Sequence, residues 1–198
     1  MTKDIRICFI GDSFVNGTGD EANLGWAGRL CNDAHAQNIP VTYYNLGIRR
    51  NTSKDILLRW EAESSLRLPE SCDGRIVISC GVNDTVIENG SLRVLPEESC
   101  ANVRDILRSA KKYKVLIVGP PPVAEDEQNE RIKVLSQAFA QEAENIRVSY
   151  IDLFSPLESD IQYKQEVTNN DGSHPKSGGY TKIANIISSS PNWWFHTP

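Results

Sequence analysis

The chain has 198 residues, 39% hydrophobic and 24% charged, with a formal net charge of −5. That length suffices for one sizeable core and is short for two, so residues 1–198 are read as one domain. No run of Lys or Arg could track a phosphate backbone or an anionic bilayer, which argues against nucleic acid and membrane surfaces as partners.

The first apolar run, 5–10, is broken by Arg6 and stops at Asp12, too short for the apolar region of a signal peptide. Four more runs follow, at 41–46, 75–80, 114–118 and 147–153. Each is nearly continuous and rich in β-branched residues, as strands covered on both faces are. Helical patterns lie between them at 26–36, 54–66, 97–112 and 127–145, with Pro96 at a favourable helix start, and a last one at 176–189. Alternation of this kind implies right-handed crossovers and a parallel sheet with helices on both faces. The fold class is therefore α/β, a flavodoxin-like three-layer α/β/α sandwich with five strands in the order 2-1-3-4-5. Such sheets bind ligands beyond the carboxyl ends of their strands, near the switch point between strands 1 and 3. Segments 15–25, 87–95, 120–126 and 155–170 read as loops around that edge, and Trp193-Trp194-Phe195 as a cap over core.

Cysteines stand at 8, 31, 72, 80 and 100, an odd number without Cys-x-x-Cys, and there are only three histidines. No metal-type spacing results, and the usage fits a reducing compartment, the cytoplasm. No stretch approaches the 18 or so apolar residues of a membrane span.

Chemistry concentrates where predicted strands end. Gly11-Asp12-Ser13 follows the first, Asn45-Leu46-Gly47 the second, Gly81-Val82-Asn83-Asp84 the third, and Asp171-Gly172-Ser173-His174-Pro175 forms a late loop. Ser13 alone reads as a turn or cap residue, and as a nucleophile it needs a base. His174 is the candidate base, with Asp171 three residues earlier able to fix its tautomer. Gly47 and Asn83 read either as turn residues or, with the Ser13 N–H, as donors to a developing oxyanion. Asp12 reads as support for the Ser13 loop.

These four blocks, spanning residues 11–175, resemble those of the SGNH hydrolases, the GDSL-type esterases and lipases. The resemblance implies cleavage of carboxylic esters without metal or organic cofactor. It makes Ser13 the nucleophile, Asp171 and His174 the other triad members, and Ser13, Gly47 and Asn83 the oxyanion hole. Phe14 departs from the family's Leu. No apolar lid or basic amphipathic helix is evident for docking on lipid, so the expected substrates are small soluble esters.

The alternative is a non-catalytic phosphate- or nucleotide-binding module on the same fold. Gly17-Thr18-Gly19-Asp20-Glu21-Ala22 spells G-x-G-x-x-A, yet Asp20 and Glu21 would repel a pyrophosphate. A G-x-S-x-G nucleophile elbow is absent from the sequence, and a cysteine hydrolase built on Cys80 would leave Ser13 and Asn83 without a role.

Overall fold

The computed structural model describes residues 4–196. Strand β1 (Ile5–Gly11) runs into a single helical turn, α1 (Ser13–Asn16), and a short loop leads to α2 (Gly25–Ala36). Strand β2 (Val41–Gly47) precedes α3 (Ser53–Ser65), then comes β3 (Asp73–Ser79). A small hairpin, β4 (Ile87–Glu88) and β5 (Ser91–Leu92), leads into α4 (Pro96–Ser109). Next are β6 (Lys114–Val118), α5 (Asp126–Ile146), β7 (Ser149–Ile151), α6 (Phe154–Glu158), α7 (Ile161–Asn169) and α8 (Ser177–Ser188).

The main sheet is parallel, in the order β2-β1-β3-β6-β7. With the hairpin set aside, this is the expected 2-1-3-4-5 order. Alternation along β1 sorts the core into two layers. Ile7 and Phe9 point to the layer filled by Trp26, Leu30, Tyr180 and Ile183 from α2 and α8. Cys8 and Ile10 point to the opposite layer, against Ile56, Ile106 and Phe139 from α3, α4 and α5. Each such apolar side chain contributes about 1.5–3 kcal/mol on burial, so the sheet is held from both faces.

Local signals explain the helix starts nearest the site. Thr52 caps α3 in a reciprocal box with Asp55, while α4 opens on Pro96 followed by Glu97 and Glu98. The tail behaves as expected of a cap, since Trp193 and Phe195 are buried in the α2–α8 layer. The Arg75 guanidinium stacks on Trp194 and Phe195 at 5.2 and 4.8 Å and pairs with Asp73 at 2.9 Å.

Two segments differ from the loop reading. Residues 155–170 carry most of α6 and all of α7. The Asp160 side chain accepts the Tyr163 N–H, and Tyr163 and Val167, four apart, bury one face of α7. Residues 87–95 contain the hairpin, whose turn places Asn89 and Gly90 at φ 53° and 79°. That Asn-Gly pair between short strands is a known hairpin signal.

Candidate active site

The carboxyl ends of β1, β2 and β3 lie side by side, with Gly11 opposite both Gly47 and Ser79. Ser13 follows at once. Asp12 caps α1 by accepting the Phe14 N–H at 2.9 Å, which fixes the turn that presents Ser13. The Ser13 N–H itself donates to no acceptor among the described residues.

The late loop meets Ser13 from 161 residues away. His174 Nε2 lies 2.7 Å from Ser13 Oγ, and His174 Nδ1 lies 2.7 Å from Asp171 Oδ2. Asp171 Oδ1 accepts the N–H groups of Ser173 and His174, so one carboxylate orders both the loop backbone and the imidazole. Partial burial works against ionisation of Asp171, but hydrogen bonds from the His174 backbone and ring outweigh it and hold its carboxyl below the usual range. Ser13 and His174 are only 6% and 8% exposed. The Asp171 side chain is 44% exposed, so solvent screens its charge in part. Phe14, where the motif departs from Leu, packs its ring 5.0 Å from the His174 ring and helps fix it.

Ser13, Asn83, Asp171 and His174 line one cavity of about 370 Å³, together with Arg49 and Arg50. The Asn83 amide nitrogen donates to the Asn51 carbonyl at 3.1 Å and to Asp12 Oδ2 at 3.3 Å. The second distance exceeds the ordinary N–H···O range, so that bond is the one more easily given up. Arg59 braces the arrangement, bonding Asn51 Oδ1 at 2.7 Å, the Gly11 carbonyl at 2.8 Å and Glu63 at 3.0 Å.

Gly47 sits differently from the other expected residues. It does not line this cavity, and its N–H donates to Asn45 Oδ1 at 3.0 Å. A Cβ there would lie 2.2 Å from Asn16 N and 2.7 Å from the Asp12 carbonyl oxygen. The position therefore needs glycine for the close approach of two backbones.

Sequence reasoning passed over Arg50. It lines the cavity in the left-handed conformation, φ 66°, and its N–H has no acceptor among the described residues. The signal was faint, because an arginine in that conformation has no sequence signature. The Asp84 carboxylate accepts the Ser53 N–H at 2.8 Å and the Ser99 hydroxyl at 2.7 Å. It thereby ties the Asn83 turn to the start of α3 and to α4.

The rival chemistries lose their footing. Asp20, inside the G-x-G-x-x-A spelling, accepts from Arg29, Ser177 and the Ala22, Leu24 and Gly25 N–H groups. Burial opposes its ionisation, but those donors win and hold its carboxyl low. The donors a phosphate would need are already taken. Burial pushes the Cys80 thiol well up, and the nearby Asp84 and Asp12 add to it, the reverse of an activated thiolate. No group of three or more His, Cys, Asp or Glu among the described residues could hold a metal ion.

The fold is a three-layer α/β/α sandwich with these groups at the carboxyl edge of its parallel sheet. Residues 9–182 match the GDSL-like lipase/acylhydrolase family, and the chain belongs to that family. It is a carboxylic ester hydrolase. Solved structures with the same fold include the lipase/acylhydrolase from Enterococcus faecalis, 24% identical with a TM-score of 0.77 over 92% of this chain and 93% of that one. A catalytic mutant of Axe2, an acetylxylan esterase from Geobacillus stearothermophilus, is 18% identical with a TM-score of 0.77 over 100% of both chains. The psychrotrophic esterase EstA from Pseudoalteromonas sp., inhibited by monoethylphosphonate, is 19% identical with a TM-score of 0.75 over 98% and 100%. No curated protein matches the sequence.

Proposed function

We propose that this chain cleaves small, soluble carboxylic esters through an acyl-enzyme on Ser13, residues 1–198 acting as one catalytic domain. The observation that carries the reading is the unbroken relay Asp171–His174–Ser13, both links at 2.7 Å, opening into the shared cavity. His174 accepts the Ser13 hydroxyl proton as Oγ attacks the ester carbonyl, then returns it to the departing alcohol. Asp171 holds Nδ1–H and stabilises the imidazolium. Water, activated by the same imidazole, releases the acid and restores Ser13.

For the oxyanion, the Ser13 N–H is uncommitted and the Asn83 amide has one long bond to exchange. The third donor is assigned to the Arg50 N–H, and Gly47 is assigned the spacing of the loops, with its amide left to Asn45. A cavity of about 370 Å³ is at the small end of ligand sites, which supports short acyl chains. Among the described residues no helix is long and apolar enough to cross a membrane. The five free thiols support action in the cytoplasm.

A panel of esters of increasing acyl length, run on wild type and Ser13→Ala with a serine-directed fluorophosphonate, tests the reading. The label should fall on Ser13 alone. Ser13→Ala should lose labelling and nearly all turnover, retaining only the roughly 10³–10⁴-fold enhancement over water that site binding gives. Labelling at another residue, or near-normal turnover in the variant, would overturn it.

A further inference from the structure

We infer that the preferred ester carries a negative charge and that Arg49 anchors it, a deepening that rests on the ester-hydrolase reading above. Arg49 and Arg50 both line the cavity that holds Ser13 and His174, but their situations differ. The Arg50 guanidinium is committed to Glu88 on the β4–β5 hairpin. Arg93 stands 3.6 Å from the same carboxylate and donates to the Arg50 carbonyl at 2.9 Å. Arg49 makes no hydrogen bond, ion pair or ring contact with any described residue. It is an unused cation on the wall of a reaction site.

The local charge balance leaves this cation over. Of the ionisable groups lining the cavity, Asp171 is engaged by His174, and Arg50 is met by Glu88 just outside. Among the described residues lining the cavity, Arg49 alone has no counter-charge, in a protein whose net charge is −5. Its backbone is held as well. Ile48 N–H donates to the Gly11 carbonyl at 3.0 Å, and Asn51 N–H to the Ile48 carbonyl at 3.2 Å, closing a turn across Arg49. A guanidinium presents paired donors that match the oxygens of a carboxylate or a phosphate. A neutral acetylated sugar or a triglyceride offers it hydrogen-bond acceptors but no counter-charge.

Three acetate esters test this: para-acetoxybenzoate, para-acetoxyphenyl phosphate and the neutral para-acetoxybenzamide, each corrected for its rate in buffer alone. At low salt, kcat/KM should favour at least one anionic ester over the neutral one by about five- to tenfold, and salt should shrink the ratio. Whichever anion leads tells carboxylate from phosphate. Arg49→Gln should bring the ratio near one and Arg49→Lys should keep part of it. Arg108→Gln, which removes an exposed charge on α4, should keep all of it. Affinities of the same compounds for Ser13→Ala, with and without Arg49→Gln, should follow the same pattern. Equal wild-type values for charged and neutral esters, or a ratio that survives Arg49→Gln, would overturn the inference while leaving the hydrolase reading intact. If none of the esters is turned over, the hydrolase reading fails. The affinities on Ser13→Ala then still decide whether Arg49 binds an anion.

Discussion

At the level of single side chains, the proposed mechanism divides the site into groups that would react and groups that would be held ready. Asn83 belongs to the second kind until an oxyanion forms, because its amide nitrogen bonds Asn51 and Asp12 in the free protein. Asn83→Ala should lower kcat by on the order of 10²–10³ with KM little changed, the signature of an interaction made in the transition state. Asn83→Asp should be at least as damaging, since it sets a third carboxyl beside Asp12 and Asp84 and turns a donor into an acceptor. A fully active Asn83→Asp enzyme would refute the donor role. Asp171→Asn should also cost rate far more than stability. Its Oδ1 bonds to Ser173 and His174 N–H can persist through the amide oxygen, while control of the imidazole tautomer is lost. Because the Asp171 side chain is partly exposed, a loss of about 10²–10³ is expected, below the roughly 10⁴ seen for a buried partner. Steady-state kinetics beside a thermal melt separates the two effects.

Among elements, the geometry is set by how closely β1 and β2 end against each other. Gly47→Ala would drive a Cβ into the Asn16 backbone, which forms the end of α1 and cannot swing aside as a side-chain tip would. The expected result is a loss of about 1–3 kcal/mol in urea unfolding, together with reduced kcat because the Ser13 turn is displaced. An Ala variant of native stability and rate would show that the approach is not needed. The sequence made the sheet order legible because each apolar run was bounded by turn residues and separated by helical periodicity. Ser13 was legible because its block follows a strand end, and His174 because its late loop completes the ordered series of blocks. Helices α6 and α7 were missed because they are short and mostly exposed, burying only Tyr163 and Val167 of α7 and Phe154 and Leu157 of α6. The tight contact at Gly47 was not legible, because a sequence cannot show that the backbone of Asn16 and Asp12 lies against its Cα. Arg49 and Arg50 stayed unremarked because two arginines in a polar loop look like ordinary solvated surface until the loop is seen against the cavity.

Taken whole, the molecule places two carboxyl groups beneath the reactive edge of its sheet with no cation paired to either. Asp12 and Asp84 are each 1% exposed, and neither forms an ion pair among the described residues. Burial pushes the Asp12 carboxyl up to about 7; the Phe14 N–H and Asn83 pull against this, and the nearby Asp84 charge adds to it. Burial likewise raises Asp84, against the hydrogen bonds from Ser53 and Ser99. An unfolded Asp titrates near about 3.9, so between about pH 4 and 7 the folded protein binds more protons at Asp12 than the unfolded chain does. Stability therefore falls as pH rises through that window, and the penalty is complete above it. Depressed groups such as Asp171 and Asp20 slope the other way, so the wild-type curve alone does not isolate Asp12. The difference from Asp12→Asn does, because the amide cannot titrate. Unfolding free energies in urea, measured for both proteins from pH 5 to 8 (a range of about three units), should shift in favour of the variant as pH rises. The expected shift is on the order of 1–4 kcal/mol. A constant difference across that range would mean that Asp12 is already ionised throughout it, so that the fold does not hold a proton beneath its reactive edge.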